Sequence, residues 1–329
     1  MTQTTATSEL LRVENLSVNF GTATVIEDLS FTVRAGRTTA VVGESGSGKS
    51  VTSMSIMRLA DIAGASFPQG RIMFLRDGGE IDLLARDQKA MRKIRGNEIA
   101  MIFQEPMTSL NPVFTVGDQL AEVLMLHEGM SKDQALVEAE RLLTLVRLPD
   151  AMGLITRHPH QLSGGMRQRA VIATALIANP ELIIADEVTS ALDVTVQRKV
   201  LDILLGVCAD RGAGVIMITH DLGVVAQCCD RVAVLYGGMV AEEADVYTLF
   251  DHPRHPYTQA LMRSMPRIGD DRPFQPIPGS AAQVLGRARH CPFAPRCSHA
   301  TARCLQEIPR AEVAGGSTYR CFNPLMVMQ

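Results

Sequence analysis

Across 329 residues, no apolar run approaches the ~18 consecutive residues that a membrane-spanning helix requires. A basic excess is missing too: 32 lysines and arginines stand against 35 aspartates and glutamates, for a formal net charge of -3. Surfaces dedicated to nucleic acid are usually strongly basic, so this balance argues against such a partner. The opening residues Met1-Thr-Gln-Thr-Thr-Ala-Thr7 have neither the basic start nor the apolar stretch of a secretory signal. No internal repeat or low-complexity tract interrupts the chain. Its seven cysteines, an odd number, do not read as the disulfide framework of a small secreted domain. These absences point to a soluble, cytoplasmic protein.

What is present supports a sizeable core. Hydrophobic residues make up 46% and charged residues 20%, and the length exceeds that of one folding unit. Strands are expected at Leu11–Phe20, Val25–Val33 and Thr38–Val42, the last a short apolar run that stops at Gly43. Residues 105–163 change character. Ser131 and Gln134 form a capping box ahead of Ala135, Leu136, Ala139, Leu142, Leu143 and Val146 on one helical face. Strand and helix then alternate: a helix from Gly164 to about Asn179-Pro180, a strand at Leu182–Ala185, and a helix capped by Asp193 and running to about Asp210. Strands at Val215–Thr219 and Val232–Tyr236 follow. The pattern predicts an α/β fold with a mostly parallel, helix-covered sheet. Beyond residue 250 the composition shifts, with ten of the sixteen prolines in the last 79 residues, and this tail reads as a loop-rich unit.

Gly43-Glu-Ser-Gly-Ser-Gly-Lys-Ser50 fits the phosphate-binding pattern G-x-x-x-x-G-K-[ST] at every fixed position. Gly43, Ser45, Gly46 and Gly48 belong to a loop whose backbone N–H groups can close around phosphate oxygens at a helix N-terminus. Lys49 would reach the β- and γ-phosphates of a nucleoside triphosphate, and the Ser50 hydroxyl would ligate Mg²⁺. Farther on, Leu182-Ile-Ile-Ala-Asp186-Glu187 ends a buried strand with two carboxylates. Side chains alternate along a strand, so Asp186 can face the metal while Glu187 turns to the γ-phosphate as general base. Ser163-Gly164-Gly165, in Leu162-Ser-Gly-Gly-Met-Arg-Gln-Arg169, opens another helix and makes a second anion site.

With these motifs in this order, residues 9 to about 250 resemble the ATP-binding subunits of ABC transporters, whose signature is Leu-Ser-Gly-Gly-Gln. The resemblance implies a P-loop NTPase (RecA-like) core over 9–104 and 164–250, with an ABC β-subdomain. It implies an inserted α-helical signature subdomain over 105–163 and a C-terminal domain over 251–329. It further implies that two subunits bury ATP head to tail, the signature of one against the phosphate loop of the other. Individual positions carry over. Gln104, in Ile102-Phe-Gln-Glu-Pro106, matches the loop glutamine that touches Mg²⁺ and relays to the membrane subunit. His220 matches the switch histidine near the γ-phosphate. Asp193, in Ser190-Ala-Leu-Asp193, matches the loop that meets the partner subunit. Phe20 stands where an aromatic stacks on adenine. Taken without that context, His220 is as readily a strand-end core histidine as a catalytic one, and Phe20 is more often core. Two positions depart from the family: Met166 replaces the signature glutamine, and Val188 replaces a proline common after the Asp-Glu pair. Neither removes a group that touches phosphate or metal.

Two further stretches, Arg95–Pro112 and His255-Pro-Tyr-Thr-Gln-Ala-Leu-Met262, resemble the dipeptide and oligopeptide importer branch, which also handles nickel and glutathione. That branch implies a second ATPase chain, two transmembrane permease subunits, an extracytoplasmic solute-binding protein, and a peripheral position on the cytoplasmic face of the inner membrane. The competing class is a soluble ABC-type ATPase acting in DNA repair, translation or cluster assembly. Cys208, Cys228 and Cys229 lie in apolar contexts and read as buried thiols. The other four, Cys291-x5-Cys297-x6-Cys304-x16-Cys321, lack the close pairs of structural zinc sites. Their wide spacing suits a [4Fe–4S] cluster, and some dipeptide-importer ATPases carry a similar four-cysteine tail that resembles an iron–sulfur site. Zn²⁺ with help from His290 or His299, or simple free thiols, are the alternatives.

Overall fold

Strand β1 (Glu9–Phe20) buries Leu11, Val13, Leu16 and Val18, and β2 (Ala23–Arg34) buries Ile26, Leu29, Phe31 and Val33. Runs of alternating burial are what a strand with one inward face requires. β3 (Thr38–Val42) is buried at every position and leads into helix α1 (Lys49–Ile56). A hairpin-like pair, β4 (Ala65–Arg76) and β5 (Gly79–Asp82), precedes α2 (Gln88–Ile94) and the short β6 (Ile99–Ile102). Among the described residues, the middle of the chain holds helices α3 (Val116–His127), α4 (Lys132–Leu145) and α5 (Ala151–Leu154). Alternation then resumes with α6 (Gly164–Leu176), β7 (Leu182–Asp186), α7 (Val194–Arg211), β8 (Gly214–Ile218), α8 (Leu222–Cys228) and β9 (Arg231–Tyr236). The tail holds β10 (Met239–Asp245), α9 (Val246–Asp251), α10 (Pro256–Arg263), β11 (Glu312–Ala314) and β12 (Ser317–Tyr319). This is a computed structural model, and it describes residues 8–76, 79–104, 109–190, 192–264, 276–281 and 287–326. Glu105–Thr108 and Ala191, within two of the sequence motifs, lie outside the described residues.

The capping box forms as read from the sequence. Ser131 accepts from the Gln134 backbone, the Gln134 side chain reaches back, and Ala135, Ala139, Leu142 and Leu143 are buried behind it. Helix α6 stops at Leu176, short of the expected Asn179-Pro180, because Asn179 turns into the left-handed region at φ +52°. Among the described residues, no helix is long and apolar enough to cross a membrane.

Chain contacts group into two compact units. One comprises Met1–Leu10, Arg34–Arg37 and Arg86–Met217; the other comprises Leu11–Val33, Thr38–Ala85 and Ile218–Gln329. In the first, strands run in the order β8-β7-β6, with β6 parallel to β7 and Ile102 opposite Ala185. In the second, an antiparallel sheet of order β2-β1-β4-β5 accompanies a ladder of order β11-β12-β10-β9-β3. There β3 and β9 are parallel, while β10 runs antiparallel to both β9 and β12. The proline-rich tail thus adds strands to the ladder that carries β3, and groups with the phosphate-loop region.

Glu242 joins the tail to that ladder. It lies on β10 opposite Tyr319, is fully buried, and accepts from the backbone N–H groups of Arg254 and His255, both at 2.8 Å. Burial raises its carboxyl above the usual range, against which those two donors pull. Glu242→Ala would leave both N–H groups buried and unpaired ahead of α10. We expect a loss of about 2–4 kcal/mol, read as a lower urea midpoint of the second unit.

Candidate functional site

The loop between β3 and α1 is built from main chain forced into places where side chains do not fit. Gly43 has φ +153°, and a Cβ there would meet the Leu235 carbonyl oxygen at 2.2 Å and Ser47 Oγ at 2.7 Å. Gly48 caps α1 at φ +103°. The loop is pinned from below: Gly238 N donates to Ser47 O at 3.1 Å, and Glu27 N donates to Gly238 O at 3.0 Å. Lys49 is buried at 8% exposure, and its Nζ donates to the carbonyls of Gly43 (2.8 Å) and Glu44 (2.9 Å). Ser45, Gly46 and Ser50 are exposed, whereas Ser47 Oγ is buried with no hydrogen-bond partner among the described residues. Thr219 N donates to Val41 O at 3.4 Å, which sets the exposed His220 beside the strand that feeds the loop. Phe20 is half-buried at the end of β1.

The first unit holds the carboxylates. Asp186 is buried at the end of β7, and Glu187 follows at φ +47°, an uncommon conformation for a non-glycine residue. Because Ile102 and Ala185 are opposite in parallel strands, Gln104 and Glu187 leave their strands side by side. Gln104 Nε2 donates to Glu187 Oε2 at 2.9 Å. The exposed Ser163 caps α6, accepting from Met166 N at 3.4 Å, and open space surrounds the exposed Gly164. Gly165 is the next residue of α6, half-buried and close to Val196. Asp193 is exposed and caps α7 by accepting from Thr195 N (3.1 Å) and Val196 N (3.0 Å).

Sequence reasoning missed two sets of residues. Gln168, 1% exposed on α6, donates through Nε2 to the carbonyl oxygen of Val188, tying the signature helix to the segment after Glu187. A buried glutamine in an otherwise apolar helix face was its only signal. The second set lies in the tail: Tyr257 Oη accepts from Glu44 N at 3.0 Å, and Arg296 grips the Glu44 carboxylate at 2.6 and 3.0 Å. Nothing local in the sequence marks a contact that spans 252 residues.

The metal site expected at Cys291, Cys297, Cys304 and Cys321 is not found as such. Among the described residues, no three His, Cys, Asp or Glu side chains are placed to hold a metal ion. All four are free cysteines, and burial pushes the Cys291, Cys297 and Cys321 thiols up, the last to about 12. Of the three cysteines expected in the core, Cys208 and Cys229 are buried and Cys228 is half-buried; burial raises the Cys208 thiol to about 12.

Comparison with known proteins gives two matches along the chain. The model of the ABC transporter family matches residues 26–190, and that of the oligopeptide/dipeptide transporter C-terminal region matches residues 241–304. The dipeptide transport ATP-binding protein DppD of Bacillus subtilis is 45% identical over 320 residues, spanning 95% of this chain and 94% of that one. The oligopeptide transport ATP-binding protein OppD of Salmonella typhimurium is 43% identical over 325 residues, spanning 96% and 94%. The glutathione import ATP-binding protein GsiA of Escherichia coli K12 is 48% identical over 265 residues, 79% of this chain but 42% of that protein. Among solved structures, the dimeric ATP-binding cassette MJ0796 in a post-hydrolysis state with ADP and Pi is similar at TM-score 0.62 and 27% identity. It covers 72% of this chain and 99% of its own.

Gly43→Ala tests the loop geometry. With a Cβ set 2.2 Å from a backbone oxygen, the loop has to shift. We expect MgATP binding to weaken about tenfold or more, measured by equilibrium fluorescence with a labelled nucleotide.

Proposed function

The chain belongs to the ABC transporter family, and from that premise we propose that it is the ATP-hydrolysing subunit of an importer for dipeptides, oligopeptides or a related solute. The observation that carries this reading is that a cassette match over 26–190 and an oligopeptide/dipeptide transporter C-terminal match over 241–304 occur in one chain. The soluble-ATPase alternative has no counterpart to that second match. On this reading the partners are a second ATPase chain, two transmembrane permease subunits and an extracytoplasmic solute-binding protein. The subunit sits peripherally on the cytoplasmic face of the inner membrane.

A triphosphate suits the loop. Gly43 has no room for a Cβ, so the loop is main chain pressed against β9, and Ser47 Oγ is a buried polar atom lacking a partner among the described residues. Backbone N–H groups at Ser45, Gly46 and Gly48 would receive phosphate oxygens, and Lys49 would exchange the two carbonyls for the β- and γ-phosphates. Ser50, Asp186 and Gln104 would be the oxygen donors for Mg²⁺, which would neutralise phosphate charge. Glu187 takes a proton from water as the water oxygen bonds to the γ-phosphorus, and the bridging oxygen departs with ADP. The Gln104 bond fixes one carboxylate oxygen of Glu187. His220 addresses the γ-phosphate, Phe20 stacks on adenine, and Ser163, Gly164 and Gly165 cover the nucleotide of the partner subunit. Asp193 lies in the loop that meets that partner.

The four-cysteine tail carries a finer proposal, a [4Fe–4S] cluster with Zn²⁺ as the alternative. Support comes from the donor set. Each thiol has backbone N–H donors: Phe293 and Ala294 for Cys291, His299 for Cys297, Thr301 for Cys304 and Asn323 for Cys321. Asn323 Nδ2 also donates to Cys304 Sγ at 3.4 Å. N–H donors directed at sulfur favour thiolate, the form that binds metal. A cluster would staple a segment poor in large apolar side chains.

Glu187→Gln should retain bound ATP and lower turnover by about 10²–10⁴-fold; unchanged phosphate release would refute the role of Glu187. Co-purification with two polytopic membrane proteins separates the importer from a soluble ATPase. Anaerobic purification should give a coloured protein with iron and sulfide in equal amounts, and a colourless, zinc-loaded chain would overturn the cluster.

A further inference from the structure

Arg296 sits in the turn between Cys291 and Cys297, and its side chain is only 6% exposed. All five of its N–H groups are used. Two go to the Glu44 carboxylate (2.6 and 3.0 Å) and one to Tyr236 Oη (3.1 Å); the Ile277 and Pro278 carbonyls take the others at 3.4 and 2.7 Å. A nearly buried guanidinium with every donor satisfied is a built site rather than a surface ion pair. Behind it stands an aromatic cluster. The rings of Tyr236, Tyr257 and Phe293 lie 4.5–5.2 Å apart, with Tyr257 fully buried and Phe293 3% exposed.

What this apparatus holds is one residue of the phosphate-binding loop. Glu44 is gripped by its carboxylate (Arg296), its N–H (Tyr257 Oη) and its carbonyl oxygen (Lys49 Nζ). The first two come from the tail; the third is the lysine that would meet phosphate. Any change in the position of residue 44 therefore moves the cradle and a resting contact of Lys49 together. Glu44 occupies an unspecified position of the loop pattern, and its side chain faces Arg296, so it serves the loop's shape.

We propose that Arg296, with Tyr257, is a positioning residue of the phosphate-binding loop, through which the cysteine-bearing turn sets the affinity for ATP. The proposal rests on nucleotide binding by that loop, and it holds whatever the thiols bind. The grip acts on a preformed cradle, so it affects binding more than the chemical step.

The test is a double-mutant cycle in the full chain, with Arg296→Met, Glu44→Gln and the double variant. The readouts are Kd for a fluorescent ATP analogue with Mg²⁺, steady-state KM and kcat, and melting temperature. Lys49→Ala serves as the non-binding control. Each single variant should raise Kd and KM about five- to tenfold and leave kcat within about twofold. The double variant should be no worse than the weaker single, because both break one contact. A lowered melting temperature with Kd unchanged would reduce Arg296 to a structural role and overturn the proposal, as would effects that multiply in the double variant. If Arg296→Met does not fold, Glu44→Gln decides alone, since it breaks the pair from the partly exposed side. A wild-type chain that binds no better than Lys49→Ala overturns the nucleotide-site reading itself. Tight wild-type binding with Glu44→Gln indistinguishable from it overturns only this inference.

Discussion

At Gly43 the main chain passes so close to Leu235 that a single extra carbon would meet its carbonyl oxygen at 2.2 Å. That approach presses the loop's main chain against β9 and leaves no room for a side chain at residue 43. The approach in turn depends on β3 and β9 being parallel neighbours, with Val42 opposite Val234, so that the strand end and Leu235 are set by ladder register. The β9–β10 turn then holds Ser47 through Gly238. Sheet pairing, turn and loop are one construction, with steric exclusion at its centre.

In the other unit the constraint is backbone strain held by hydrogen bonds. Glu187 adopts φ +47°, a conformation that costs free energy for a residue with a Cβ. It is held there by Gln104 at the side chain and by Ser190, whose N–H and hydroxyl both reach the Glu187 carbonyl at 3.1 and 3.0 Å. Gln168 secures the following residue, Val188, from the signature helix. These bonds make the placement of one carboxylate a property of two strands and a helix.

How much of this was legible beforehand depends on how far the chemistry reaches along the chain. The phosphate loop is written in eight consecutive residues, and its glycines declare backbone geometry outright. The Ser131 capping box and the apolar runs of β3 and β7 are equally local and appear where the pattern put them. The Gln104–Glu187 bond joins residues 83 apart, and only the parallel register of β6 and β7 makes it. Gln168 and Glu242 were invisible because a buried polar residue announces itself only once its surroundings are known. The cysteine spacing was visible, but spacing does not say how far apart the sulfurs lie in space, and no ready metal geometry was found among the described residues.

The contact between Glu44 and Arg296 spans 252 positions, among the longest reaches in the molecule. Closing so large a loop costs entropy before any contact repays it, so such pairs form late as a chain folds. The phosphate cradle begins near the N-terminal end yet receives its final support from residues made long afterwards. During synthesis the nucleotide loop is therefore exposed without its clamp for most of translation. Until the tail has been made, the loop has no Arg296 to hold Glu44.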